Sequence, residues 1–190
     1  VDEPLATLQQ WIDDAAAAGI LEPTAMTLAT STPDGDVSAR VVLLRGLDDR
    51  GLVFYASQRS AKGRDLSTNP RAAAVLHWQP LRRQVRVTGP VAEVSGDEAD
   101  AYFASRPRGS QLASWASPQS EVIADRAVLE DAVAEVDRRY PGAVPRPPWW
   151  GGYRITPDVV ELWIQGENRL HDRRRYTRAG ATWRLELLAP

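Results

Sequence analysis

The chain has 190 residues, 43% of them hydrophobic and 25% charged, with a formal net charge of -2, two histidines and no cysteine. That length and apolar fraction suit one compact domain with a substantial core, and near-neutrality argues against a general nucleic-acid or membrane-surface binder. Without cysteine there are no disulfides, thiolate metal sites or cysteine nucleophiles, and two histidines argue against a histidine-rich metal cage, so no metal is expected.

The elements are legible in order. Leu5, Leu8, Trp11 and Ile12 recur at helical spacing ahead of an alanine run, which predicts a helix over about 4–19, ended by Gly19. Residues 26–32 read as a strand, Pro33-Asp34-Gly35-Asp36 as a turn, 37–47 as one long strand, and 52–57 as the next strand after a second turn. A short helix is expected over 60–67, then strands at 71–79 and 84–94 interrupted by Pro80. Ser95-Gly96-Asp97-Glu98 has the form of a capping box, starting a helix that runs to about Ser105. Pro107 breaks that helix, Pro118 marks a loop, and 125–140 carries Val128, Leu129, Ala132, Val133 and Val136 at amphipathic spacing. Residues 141–152, rich in proline and tryptophan, read as an ordered loop. Strand periodicity returns at 153–156, 159–165 and 183–188, and the strand count suggests a barrel. No apolar run approaches a membrane span and the N-terminus lacks a signal-like core, so a cytoplasmic protein is expected.

Four constellations carry chemistry. Asn168-Arg169-Leu170-His171-Asp172-Arg173-Arg174-Arg175-Tyr176, if extended, projects Arg169, His171, Arg173 and Arg175 from one face, where an anion would relieve their repulsion; a solvated strand edge is the plainer reading. Arg40 and Arg45 sit near the two ends of an apolar strand, five residues apart and so on opposite faces, either in solvent or each meeting an anion. Lys62, the one lysine in the chain, stands beside Gly63 at a helix start, a position that suits phosphate. Tyr102 and Arg106 meet on one helix face with Ser110 close by, and could give a phosphate several hydrogen bonds of roughly 0.5–3 kcal/mol each.

These segments together resemble a known family. Arg40-Val41-Val42-Leu43-Leu44-Arg45, Phe54-Tyr55, Gln84-Val85-Arg86-Val87, Tyr102 through Gln111, Trp115-Ala116-Ser117-Pro118-Gln119-Ser120, Trp150-Gly151-Gly152-Tyr153-Arg154 and Arg169-Leu170-His171-Asp172-Arg173 are similar, in order, to the motifs of pyridoxine (pyridoxamine) 5′-phosphate oxidases. The resemblance runs from about Glu22 to Pro190. It implies a mainly β, α+β fold, an FMN-binding split β-barrel with flanking helices over residues 1–190, and a homodimer with active sites at its interface.

By that resemblance FMN would be held by Arg40, Val41, Val42, Leu43, Leu44, Arg45, Tyr55, Ala56, Lys62, Gln84, Gln119, Ser120, Trp163 and Arg173, some of them from across the dimer. The substrate, a small phosphorylated pyridine, would meet Arg45, Tyr102, Arg106 and Ser110 at its phosphate, and Arg169 and His171, the catalytic pair, at its ring. The implied reaction oxidises pyridoxine or pyridoxamine 5′-phosphate to pyridoxal 5′-phosphate, with O2 as acceptor and H2O2 as product. The chain departs from the family where lysine is common at Arg45 and arginine at Ala61, in Trp163-Ile164-Gln165-Gly166, and in a short arm before the first helix. A related FMN oxidase of phenazine biosynthesis and a flavin- or pyridoxal-phosphate-binding protein without turnover are the alternatives; a substrate without phosphate would not need the Tyr102, Arg106 and Ser110 clamp.

Overall fold

The computed structural model of the chain describes residues 4–190, so the expected domain over 1–190 begins three residues outside that range. Helix α1 (Pro4–Ala17) buries Leu5, Leu8, Trp11, Ile12 and Ala15, one apolar stripe laid on the barrel. It ends two residues before the expected stop, at a turn where Gly19 takes a left-handed φ of 76°.

Ten strands form one antiparallel sheet among the described residues: β1 (Ala25–Ser31), β2 (Val37–Leu43), β3 (Gly46–Asp48), β4 (Gly51–Ser57), β5 (Arg71–Trp78), β6 (Arg83–Glu93), β7 (Trp150–Ile155), β8 (Val159–Ile164), β9 (Asp172–Ala179) and β10 (Thr182–Leu187). The main path runs β10-β9-β8-β6-β5-β1-β2, and a second arm, β3-β4-β7, returns to β6. The long strand β6 joins the arms. Its first half pairs with β8 as far as Thr88, and its second half pairs with β7 from Val91 onward. Gly89 and Pro90 lie at the switch, where a Cβ on Gly89 would stand 2.0 Å from the Thr156 carbonyl oxygen. A bend at such a pair curls the sheet into a half-barrel.

Cross-strand neighbours share a face, so registers sort the side chains. Leu28, Ala74, Val87, Val160 and Tyr176 form one row of the inner face and are all buried. Thr27, Val75, Arg86, Glu161, Arg175 and Glu186 form the matching row of the outer face. A second, smaller core of Phe103, Leu112, Val144 and Trp150 lies under the remaining helices.

Those helices are α2 (Ala61–Thr68), α3 (Gly96–Ser105), α4 (Arg108–Ala116) and α5 (Ala127–Arg139). Ser60 caps α2 and Ser95 caps α3, each hydroxyl accepting from the amide three residues on. The expected strand over 37–47 is broken: the Leu44 amide bonds to the Thr24 carbonyl, whereas the Arg45 amide bonds to that of Val53, so the chain leaves β1 for β4 at that point. Helix α4 was not expected, because Pro107 read as a breaker; Pro107 instead starts it, its carbonyl accepting from the Ser110 and Gln111 amides. In α5 only the Val133 and Val136 side of the stripe packs on the second core, and Val128 stays 47% exposed. The expected loop over 141–152 gives way to β7 at Trp150, which pairs with Ser57.

The arginine-rich segment also differs from the expectation. Glu167–Arg169 is a 3-10 turn with Asn168 and Arg169 at φ of 49° and 65°, and the extended run begins only at Asp172. Arg169, His171, Arg173 and Arg175 therefore do not form one file of cations. Arg173 pairs with Glu161 at 2.8 Å and Arg175 with Glu186 at 3.0 Å, so two of the four are already neutralised.

Candidate functional site

A cavity of about 750 Å³ opens where β2, β4, α2, α3 and α4 converge. Strand β2 contributes Arg40, Val41, Val42 and Leu43, and Arg45 follows from the break after it. Arg40 and Arg45, expected on opposite faces of one strand, thus line the same cavity, because the chain turns between them. Leu44 does not line it; its side chain is 4% exposed in the core. Tyr55 and Ala56 reach the cavity from β4, Lys62 from α2, Tyr102 from α3, Arg106 from the C-cap of α3, and Ser110 from α4. Gln119 and Ser120 close it from the following loop, Gln119 accepting the Ser57 amide hydrogen bond at 3.2 Å.

The cations of this cavity differ from most others in the chain. Lys62 is 6% exposed, its Nζ donates to the Ser60 hydroxyl at 3.2 Å, and among the described residues no carboxylate stands within ion-pair distance. Burial, and secondarily the nearby Arg40 charge, hold its pKa below the usual lysine value. Arg40 donates to Thr30 and Ser38 and reaches Asp65 only at 3.9 Å. Arg106 lies 4.7 Å over the Trp150 ring and donates to the Ser114 hydroxyl at 2.7 Å; it is held below the ordinary arginine pKa chiefly by burial, with Arg45 adding to that effect. Lys62 feels Arg40, and Arg106 feels Arg45. The cavity therefore has two cationic poles, one at the start of α2 and one beneath α3.

An aromatic wall lies beside the second pole. Tyr55 stacks on Tyr102 at 3.9 Å and on Trp150 at 5.4 Å, and burial raises the Tyr55 pKa. Trp150 and Ser114 are lining residues that the sequence reading did not assign. Ser114 lies one helical turn beyond Ser110, a relation that exists only because α4 is a helix; Trp150 opens the Trp150-to-Arg154 motif, to which no role attaches from sequence.

The other expected site residues do not line this cavity. Gln84, Trp163 and Arg173 occupy one cross-strand row on the outer face of β6, β8 and β9. His171 leans on Trp163 with ring centroids 4.7 Å apart, and its Nδ1 accepts from the Gly166 amide at 3.2 Å, which puts the proton of the neutral ring on Nε2. Gly166 allows this tight turn: a Cβ there would meet the Leu170 carbonyl oxygen at 1.8 Å. Arg169 is exposed on the same turn.

Known proteins match the chain along its length. A family model described as pyridoxamine 5′-phosphate oxidase matches residues 12–140, and one described as the pyridoxine 5′-phosphate oxidase C-terminal dimerisation region matches residues 150–190. The pyridoxine/pyridoxamine 5′-phosphate oxidase of Rubrobacter xylanophilus is 52% identical over 189 residues, covering 99% of this chain and 87% of its own. That of Azorhizobium caulinodans is 56% identical over 173 residues, covering 90% and 82%. Among solved structures, PhzG from Burkholderia lata in complex with tetrahydrophenazine-1-carboxylic acid superposes with a TM-score of 0.94 at 36% identity, covering 100% of this chain and 94% of the other. A pyridoxamine 5′-phosphate oxidase-related, FMN binding protein from Nostoc punctiforme superposes with a TM-score of 0.80 at 18% identity, covering 100% and 99%, and establishes the shared split-barrel fold.

Proposed function

The chain belongs to the pyridoxamine 5′-phosphate oxidase family, and from that membership we propose that it is an FMN-dependent oxidase converting pyridoxine or pyridoxamine 5′-phosphate to pyridoxal 5′-phosphate, with O2 reduced to H2O2 and, for the amine, water consumed and ammonia released. The observation that carries this reading is the pair of cationic poles in one cavity: a buried ammonium and a half-buried guanidinium, neither ion-paired among the described residues, suit two phosphates, one of the cofactor and one of the substrate. The cavity lies within the usual range of about 300–1,000 Å³ for small-molecule sites.

The donor set fits FMN. Arg40 and Lys62 would hold its phosphate, and the β2 backbone, Tyr55, Ala56, Gln119 and Ser120 would line its length. When bound, the flavin supplies the two-electron oxidation and the route to O2. The chain's own residues supply orientation. Arg45, Arg106, Tyr102 and Ser110 grip the substrate phosphate, the Tyr55, Tyr102 and Trp150 wall excludes water beside it, and His171 presents Nε2–H, with Arg169, as a donor to the pyridine ring.

Gln84, Trp163, Arg169, His171 and Arg173 reach a site only if a second copy brings its outer sheet face to the cavity. The C-terminal match to a dimerisation region supports a homodimer with shared sites. A phenazine-type oxidase is the second reading, favoured by the likeness to PhzG. The test is to supply the FMN-loaded protein in air with pyridoxine 5′-phosphate, pyridoxamine 5′-phosphate and, separately, tetrahydrophenazine-1-carboxylic acid. Equimolar pyridoxal 5′-phosphate and H2O2 from either pyridine is the expected result; oxidation of the tricyclic acid alone selects the second reading, and flavin binding without turnover removes both.

A further inference from the structure

Helix α3 carries Glu98 and Tyr102 one four-residue step apart and so along one side, and Arg106, a further four residues on, is the residue that caps its C-terminus. Two of these are proposed phosphate ligands. Glu98 stands at the other end of the row and is engaged differently. Its amide takes the Ser95 cap, as the capping box expects, but its carboxylate accepts from Arg154 Nη2 at 2.9 Å. Arg154 forks, its Nη1 donating to Asp48 at 2.6 Å. At 11% exposure its side chain is the most enclosed of the ion-paired arginines among the described residues.

The location of the fork gives it a consequence for the cavity. Arg154 lies on β7, opposite Val53 of β4, four residues along the same strand from Trp150. The pair of strands that presents Trp150 and Tyr55 to Tyr102 and Arg106 therefore also holds the far end of the helix that bears Tyr102 and leads into Arg106. Stacking fixes α3 at its middle and C-terminal turns, and the ion pair fixes it at its first turn. Both contacts oppose sliding of the helix along its axis and rolling about it.

We propose that Arg154 is a positioning residue for the substrate-phosphate pole: by gripping Glu98 while anchored on Asp48, it sets the height and rotation of α3 so that Tyr102 and Arg106 converge on one phosphate. The inference rests on the proposed function. It assigns Arg154 no contact with substrate and separates it from a purely stabilising ion pair, which would affect melting temperature and all ligands alike.

The test uses the FMN-loaded full chain and equilibrium binding of pyridoxal 5′-phosphate, with phosphate-free pyridoxal as the comparison ligand. Glu98→Ala removes the grip at a half-exposed carboxylate and leaves the Arg154 to Asp48 pair intact. Its expected effect is a roughly tenfold weaker affinity for the phosphate ester and a matching rise in KM, from misplacement of the clamp, with pyridoxal and FMN affinities unchanged. Arg154→Met behaves in the same way and Arg154→Lys recovers part of the loss; should Arg154→Met fail to fold, Glu98→Ala carries the test. Unchanged affinity for the ester in Glu98→Ala overturns the proposal, as does an equal loss for ester and pyridoxal that tracks melting temperature. Wild-type protein that binds no ester, or Arg106→Ala protein that binds it normally, removes the underlying function instead.

Discussion

Lys62 carries its charge in a buried position, which disfavours the charged form. Burial and Arg40 lower its pKa from 10.5, so the ammonium is penalised until an anion arrives. Linkage fixes the sign. With its folded pKa depressed, charged Lys62 destabilises the ligand-free fold, and that penalty disappears as pH rises through the lowered pKa. A bound phosphate dianion raises the pKa again, so FMN affinity is full while Lys62 is protonated and declines as pH climbs through the free protein's lysine pKa, below 10.5. Below about pH 6 the phosphate itself takes up a proton, giving an acid limb. Flavin-fluorescence titrations across the alkaline range should show this decline in wild type and lose it in Lys62→Arg, whose cation does not titrate; an affinity constant up to the ordinary lysine range in wild type would rule out the linkage. The sequence marked Lys62, Arg106 and Arg173 alike as candidate anion ligands. It could not separate them, because the neutralising partner of Arg173 is Glu161, on a neighbouring strand that only the folded sheet brings beside it.

At the scale of elements, delivery of Lys62 depends on how closely α2 docks. Gly63, in the first turn of α2, lies so near the end of β4 that an added Cβ would stand 2.2 Å from the Gln58 carbonyl oxygen. Gly63→Ala must therefore push α2 outward. The expected outcome is a stability loss of about 1–3 kcal/mol by overpacking, accompanied by weaker FMN binding as Lys62 moves with the helix. Gly109→Ala, where an added Cβ meets nothing within 4 Å, is the contrasting case in α4 and should stabilise by about 0.4–1 kcal/mol without altering flavin affinity. Thermal melts and flavin titrations on the two variants check both expectations. Periodicity and caps made α1, α2, α3 and most strands legible. The break at Leu44 and Arg45 was not, because it is set by two backbone hydrogen bonds to Thr24 and Val53, partners that local pattern does not name. Helix α4 was missed for a related reason: proline is compatible with a helix start, and nothing local distinguishes a stop from a start.

At the scale of the whole molecule, the expected site residues divide into two sets. The cavity is built around β2, while Trp163 and Gln84 stand on β8 and β6; along the sheet β2 and β8 are four strand steps apart, ~19 Å at the usual spacing. The second set does not line the cavity of its own chain, and under the proposed function a partner copy supplies it. In a two-fold dimer each copy offers a cavity and an outer face, so the outer face of one copy can meet the cavity of the other. This arrangement predicts complementation between inactive variants. Lys62→Ala damages the cavity and leaves the outer face intact; Trp163→Ala does the reverse. In a mixed dimer one site inherits both lesions and the other neither, so unfolding and refolding an equal mixture should restore about a quarter of the wild-type sites, half the dimers carrying one intact site each. Flavin content and oxidase turnover of the mixture, compared with each variant refolded alone, read this out. A mixture no better than its components would mean that each site is built from a single chain, and the second set of residues would then need a different role.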